Sequence, residues 1–283
     1  AAPRLALRRA RLLRTATWGE LGPDAQALRR VADELACGDA RGVTLLDLRS
    51  AEEYSKDAGA LPLALPVARE TPSSEQFAAV PAADGASEAS SLHRVNVSLL
   101  ERERYERGLF GQLPLRDKGK VLYMKVFGGR NELRDWFIER INAGGLPQLY
   151  ELLLATAAPE FGVALRTVTA HLEAERAVVF FCKAGKDRTG LIAALLLLCL
   201  GASEDEVVAD YALSDSDETV AGLGGVEKEA PGLDMNIFSR APASAMESTV
   251  VHLRERYGGH EVYLDSIGFG DEWRARLRAV LAA

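Results

Sequence analysis

Cysteine is scarce in this 283-residue chain: Cys37, Cys182 and Cys199 are an odd number at no paired spacing. That excludes a disulfide framework and favours a reducing compartment. Histidine is nearly as scarce, and His93, His171, His252 and His260 fall at no metal-ligand spacing, so no metal and no other cofactor is expected. Positive charge is in deficit: 34 Lys and Arg against 41 Asp and Glu leave a net charge of -7. Nucleic acid and anionic membrane are thereby excluded as partners held by bulk electrostatics. Long hydrophobic runs are missing too. The apolar stretch Leu191 to Leu200 falls far short of the roughly 20 residues a spanning helix needs, and it reads as a buried helix. A soluble protein of the cytoplasm or of an organellar stroma or matrix is expected, and any positive charge that matters must be local.

What is present is a sizeable core, with 48% hydrophobic residues, and no internal repeat or interdomain linker. The expectation is one α/β domain across residues 1–283, a mostly parallel central sheet flanked by helices. Its centre is Val178-Val179-Phe180-Phe181-Cys182-Lys183-Ala184-Gly185-Lys186-Asp187-Arg188-Thr189-Gly190. The apolar residues before Cys182 predict a buried strand, and the run after Gly190, closed by Gly201, predicts a helix. The loop between them can curl the N–H groups of Lys183 to Arg188 around one point, at which the positive end of the helix also aims.

This is an anion cradle with a thiol at its floor. A helix N-terminus with nearby Lys and Arg stabilises the thiolate that acts as nucleophile. The Arg188 fork can hold two phosphoryl oxygens, Thr189 can donate its hydroxyl to the Cys182 sulfur, and Gly185 permits the tight path. Ala184 and Gly185 join the two lysines as backbone phosphate ligands. Lys183 and Lys186 are either a solvated loop edge or selectors of multiply charged substrates.

Elsewhere, Leu12 to Ala16 and Val43 to Ser50 predict strands, and His93 to Leu99 alternates as a third. Asp47 and Arg49 sit where the second strand ends in charge: a salt-bridged strand end, or Arg49 supporting substrate or loop and Asp47 holding Arg188 or nearby backbone. Asp24 to Leu35 has helical spacing. From Leu61 to Ser91 the chain is rich in Pro, Ala, Ser and Gly, and residues 70–91 predict a mobile loop. Helices are expected over Leu133 to Ile141, Leu149 to Ala157, Phe161 to Glu173 and Met246 to Tyr257. Ser203 and Glu206 form a capping box. Residues 1 to 17 carry five arginines and no acid, which fits a targeting remnant over residues 1–12 or an ordered strand with basic flanks.

The pattern Cys-x-x-Gly-x-x-Arg-Thr-Gly between strand and helix resembles the signature loop of the cysteine-dependent protein tyrosine phosphatase superfamily. Its form Ala-Gly-Lys-Asp-Arg-Thr-Gly is similar to one branch, the atypical tyrosine/serine phosphatases that often also take phosphoinositides. Asp47-Leu48-Arg49-Ser50 with Glu52 and Glu53, and Gly201 to Ser214, resemble further segments of that branch. The resemblance implies attack by Cys182 on a phosphorylated protein or phosphoinositide, a phospho-cysteine intermediate, and a lid over the site from residues 100–146, with Lys125, Arg130 and Arg134 as substrate-recognition candidates.

Two features depart from the pattern. Phe181 stands where the family carries His, and no Trp-Pro-Asp tripeptide supplies a general acid. Asp187, inside the cradle, is the candidate acid; it could equally cap the helix or pair with Lys186. The departures keep open a catalytically silent phosphate- or phosphoinositide-binding module. Sulfur or arsenate chemistry is a third reading, which would need Cys37 or Cys199 beside Cys182.

Overall fold

The computed structural model describes residues 12–15, 42–56, 67–69, 92–215 and 231–282. Five strands, β1 (Leu12–Thr15), β2 (Val43–Asp47), β3 (Val67–Arg69), β4 (Leu92–Asn96) and β5 (Ala177–Phe181), form one sheet in the order β1-β5-β2-β4-β3. Every pairing is parallel. The two strands β5 and β2 are buried at every residue, as their apolar runs require in a parallel sheet covered on both faces. In register, Asp47 lies opposite both Phe181 and Asn96. The C-terminal ends of β2, β4 and β5 therefore share one edge, where ligand groups gather in open α/β sheets.

Among the described residues the helices are α1 (Ala51–Lys56), α2 (Arg102–Gln112), α3 (Leu115–Phe127), α4 (Arg130–Thr156), α5 (Ala158–Glu173), α6 (Asp187–Cys199), α7 (Glu204–Ala212), α8 (Met235–Phe238), α9 (Ala243–Tyr257), α10 (His260–Ser266) and α11 (Asp271–Ala282). The main core joins Leu46, Val95 and Phe180 of the sheet to Phe161, Leu165 and Val168 of α5 and to Leu191, Ile192 and Leu195 of α6. Two satellite clusters lie outside it. One packs Leu113, Val121 and Met124 on Trp136, the other Tyr105 and Leu109 on Leu152. These fasten α2 and α3 to α4. The opposite end of the sheet is pinned by polar bonds: Arg176 donates to Thr44 Oγ1 at 2.9 Å, and Thr44 Oγ1 lies 2.8 Å from His171 Nδ1.

The fold class read from the sequence is the one observed. Strands stand at Leu12, Val43 and the His93 segment, the helices after Leu149 and Phe161 are present, and Ser203 and Glu206 make both bonds of their capping box. Two differences have physical reasons. Val67–Arg69, just ahead of the expected loop over 70–91, is a strand the sequence did not announce; three residues on a sheet edge are too few to show a period, and the pairing with Arg94 to Asn96 makes them a strand. The helices expected over Leu133 to Ile141 and from Leu149 extend until they meet: α4 covers 27 residues as two helical segments separated at Gly145, where φ is 59° and ψ is -158°, so the Gly144-Gly145 punctuation is a real break. Glycine tolerates that angle, and Pro147 starts the second segment without needing its missing N–H. The helix expected from Asp24 to Leu35, the loop over 70–91 and the stretch over residues 1–11 lie outside the described residues.

Candidate active site

The strand β5 delivers Cys182 to the charged edge of the sheet, and α6 begins five residues later at Asp187. Both neighbours of the loop are rigid: β5 is interior, and α6 is buried along nearly its whole length. The thiol side chain is buried. Gly185 takes φ 69°, the left-handed turn that lets the backbone double back above the sulfur. Among the described residues, the N–H groups from Ala184 to Thr189 donate to no backbone carbonyl, while Gly190 N–H closes the first helical bond to Lys186 O at 2.9 Å. The donors at the cradle are thus left for an anion. Gly190 itself faces the Tyr211 ring, where an added Cβ would lie 3.0 Å from a ring carbon. A larger residue would push α7 off α6.

Arg188 is buried and aimed by a carboxylate. Its Nη1 donates to Glu53 Oε2 at 2.6 Å and its Nη2 to Glu53 Oε1 at 3.0 Å. Glu53 sits in the first turn of α1 and is fixed reciprocally: Ser50 N–H donates to Glu53 Oε2, and Glu53 N–H donates to Ser50 Oγ. Burial works against ionising Glu53, but the charge and hydrogen bonds of Arg188 and the bonds from Ser50 outweigh it, lowering its pKa to about 2. Burial likewise opposes the Arg188 charge, yet Glu53, with smaller contributions from Cys182 and Asp187, raises its pKa. The end-on pairing leaves the Nε–H and one N–H on each terminal nitrogen for other acceptors.

Of the roles open to Asp47, holding Arg188 is not seen, while holding nearby backbone and closing a salt-bridged strand end are. Asp47 is fully buried and accepts instead from Arg49 N, Nε and Nη2, each at 3.0 Å, and from Arg94. Asn96 donates to the carbonyls of Asp47 and Arg49 at 3.0 Å. Arg49 lies 5.6 Å over the Phe181 ring, so the residue standing in for the family's His is a buried platform under a guanidinium. Arg49 reaches the loop through Phe181 and is braced by Asp47.

Among the other loop residues, the Asp187–Lys186 pair left open by the sequence is formed. Lys186 is no solvated edge: it is 1% exposed, and its Nζ donates to Asp187 Oδ1 at 2.8 Å. The same oxygen accepts from Tyr150 Oη at 2.7 Å, and Tyr150 Oη lies 2.6 Å from Tyr211 Oη. Burial first, then the negative charge of Asp187, raises both tyrosine pKa values, so both hydroxyls stay protonated. Asp187 Oδ2 accepts no hydrogen bond among the described residues. Thr189 Oγ1 is buried and makes no hydrogen bond, so the expected bond to the Cys182 sulfur is not formed here. Lys183, Ala184 and Gly185 form the half-buried lip of the cradle.

Cys199 stands at the far end of α6, about 18 Å along the helix from the loop, where burial pushes its thiol up to about 12. That removes it from Cys182; Cys37 lies outside the described residues. Of the recognition candidates, Lys125 and Arg134 are exposed, Arg134 paired with Asp135 at 2.8 Å, and the Arg130 side chain is outside the described set. Among the described residues no three His, Cys, Asp or Glu side chains are placed to hold a metal ion, and no helix is long and apolar enough to cross a membrane.

Sequence reasoning missed Glu53, Tyr150 and Tyr211. For Glu53 a signal existed, since Ser50-x-x-Glu53 directly after a strand is a capping box. For the tyrosines no local signal existed, because Tyr150 and Asp187 meet only through the tertiary fold.

Comparison with known proteins agrees with this geometry. The chain is 32% identical over 145 residues to a tyrosine-protein phosphatase of Nostoc commune, covering 48% of this chain and 49% of the relative. It is 48% identical over 52 residues to the triple specificity protein phosphatase PtpB of Mycobacterium tuberculosis, covering 18% and 19%. The matched region thus spans half or less of the length of these relatives. The sequence model of the tyrosine phosphatase family, in contrast, matches residues 4–283. A match of that extent, on a sheet that carries the cysteine loop at its ligand-binding edge, means that the chain belongs to the tyrosine phosphatase family.

Proposed function

We propose that this protein is a metal-independent phosphomonoesterase that hydrolyses phosphotyrosine, and phosphoserine, phosphothreonine or phosphoinositides as well, through a phospho-cysteine intermediate. The observation that carries this reading is the pre-aimed Arg188, held end-on by Glu53 beside a buried Cys182 and a ring of undonated N–H groups.

In the first step the Cys182 sulfur attacks phosphorus and the bond to the leaving oxygen breaks. That oxygen takes a proton from Asp187 in its protonated form, carried on Oδ2, which is unengaged while Oδ1 is anchored by Lys186 and Tyr150. Arg188 and the loop amides bear the charge of the three non-bridging oxygens throughout, so positioning and electrostatics supply most of the catalysis. In the second step water attacks phosphorus, the S–P bond breaks, and Asp187 takes back the proton. Thr189 Oγ1, buried and without a hydrogen-bond partner among the described residues, donates to the departing sulfur as it leaves. Asp47 and Arg49 act through Phe181, fixing the strand end on which the loop rides. Lys183 on the half-buried lip and Lys186, paired with Asp187, add positive charge for multiply charged substrates.

Phosphate release measured without metal on p-nitrophenyl phosphate, a phosphotyrosine peptide, a phosphoserine peptide and phosphoinositides tests this reading. Turnover that disappears in Cys182→Ser is expected. No release from any of the four, with phosphate esters still bound, would replace the enzyme by a silent binding module, the reading that Phe181 keeps alive.

A further inference from the structure

Helix α3 inverts the usual placement of apolar residues. Leu115 is 87% exposed, Leu122 61%, Tyr123 64%, Val126 62% and Phe127 75%. The opposite side of the helix, Asp117, Val121 and Met124, is buried against Leu113 and Trp136. At 100° per residue the five exposed side chains fall in one arc of about 140° along a helix about 20 Å long. Lys118 and Lys125 border that arc on one side and Lys120 on the other, with Arg116 just inside that second edge between Tyr123 and Phe127. The single acid of the helix, Asp117, is buried and paired with Arg140 at 2.8 Å and more loosely with Arg116 at 3.6 Å. Lys120 and Lys125 make no ion pair among the described residues.

An apolar stripe edged by cations on a helix lying at the surface has the composition of a helix that rests in a lipid headgroup layer. Its charge is the reverse of the chain's net -7. A second copy of the chain is a poor occupant, since pairing the same face would bring the basic borders together. An anionic surface is complementary to both the stripe and its edges.

We propose that the exposed face of α3 docks this protein peripherally on an anionic lipid surface. The aromatic and aliphatic side chains enter the headgroup boundary, and the four cations meet the lipid charge. The helix is seated on the part of α4 before the Gly145 bend, and Tyr150 on the part after it bonds Asp187. The docking face and the catalytic loop therefore hang on one element. Docking itself needs no turnover; only its consequence, presenting the Cys182 loop to phosphorylated lipid headgroups, rests on the function proposed above.

The test is sedimentation of the full chain carrying Cys182→Ser with vesicles of phosphatidylcholine alone or mixed with phosphatidylserine. Binding to the phosphatidylserine vesicles, weakened by added salt, is expected, with a loss of about tenfold or more in Leu122→Glu/Phe127→Glu and a smaller loss in Arg116→Glu/Lys120→Glu. Both double variants, with Cys182 intact, should turn over p-nitrophenyl phosphate in vesicle-free buffer as the parent does, which shows them folded. No binding to anionic vesicles, or binding unchanged by Leu122→Glu/Phe127→Glu, overturns the proposal. So does a concentration-dependent oligomer abolished by the same pair without vesicle binding, which would give the face to a second copy. If vesicles are bound but no substrate is hydrolysed, docking stands and the phosphatase reading fails.

Discussion

The edge of the sheet around Cys182 and the outer face of α3 depart from ordinary burial in opposite directions. At the sheet edge Asp47, Arg49, Arg94, Lys186 and Arg188 are buried, and each is held by specific partners. On α3 large apolar side chains stand in solvent. A charge is removed from water only where its partners are fixed, and an apolar stripe is left in water only where something else covers it. The first departure stiffens a catalytic loop, and the second leaves a face for an outside surface. Both are places where function overrides the pattern that makes a chain fold.

The contrast can be broken most forcefully at Arg188. Arg188→Lys keeps a cation but loses the fork, so kcat should fall roughly a hundredfold to a thousandfold with the fold retained by circular dichroism. Unchanged turnover would remove the two-oxygen role.

Next comes Glu53→Gln, which leaves a buried guanidinium facing a neutral amide and should cost about 3 kcal/mol in urea unfolding. Its pH signature is specific. The folded pKa of Glu53, about 2, lies below its ordinary 4.5, so the pair's contribution is fully present above pH 4.5 and is lost as pH falls from 4.5 towards 2. That acid-side loss should be smaller in Glu53→Gln; an identical slope would mean Glu53 is not the group that Arg188 holds ionised.

A smaller effect is expected at Tyr150→Phe, which removes the hydroxyl bonded to Asp187 and Tyr211. About 1 to 2 kcal/mol of stability should be lost, with a greater fall in turnover for aryl phosphates whose leaving groups need a proton than for those that do not. Asp187→Asn should show the same leaving-group dependence more strongly, and equal losses across leaving groups would give Asp187 a structural role only. The smallest effect belongs to α3: Leu122→Ala should change stability by no more than about 0.5 kcal/mol, against about 2 to 5 kcal/mol for Leu191→Ala in the core. Similar costs at both sites would show that the α3 face is covered in the folded chain, and the contrast would collapse.

Much of the sheet edge was readable in the sequence because its signals are local. The apolar run of β5, the Cys182 to Gly190 spacing and the buried helix that follows lie in one stretch. What could not be read were pairings across the chain. Glu53 meets Arg188 from 135 residues away, and Asp47 was the nearer-looking partner by chemistry alone. The pairing of Lys186 with Asp187 was one of the alternatives open in the sequence, but the burial of that lysine was not, because lysine is usually exposed, and only the tertiary fold brings Tyr150 to the same Asp187 oxygen. The exposed face of α3 escaped notice for the converse reason. Its apolar residues have helical spacing, as core-facing ones do, and periodicity does not say which side of a helix meets water.

One measurement bears most directly on the chemistry assigned to Cys182: acid-quenching the enzyme during turnover of p-nitrophenyl phosphate and analysing the peptide that contains Cys182 by mass spectrometry. A phosphoryl group on that cysteine is expected, accumulating when Asp187→Asn slows hydrolysis of the intermediate and absent in Cys182→Ser. Continued turnover with no phosphoryl group on Cys182, in the parent or in Asp187→Asn, would contradict nucleophilic attack by its sulfur.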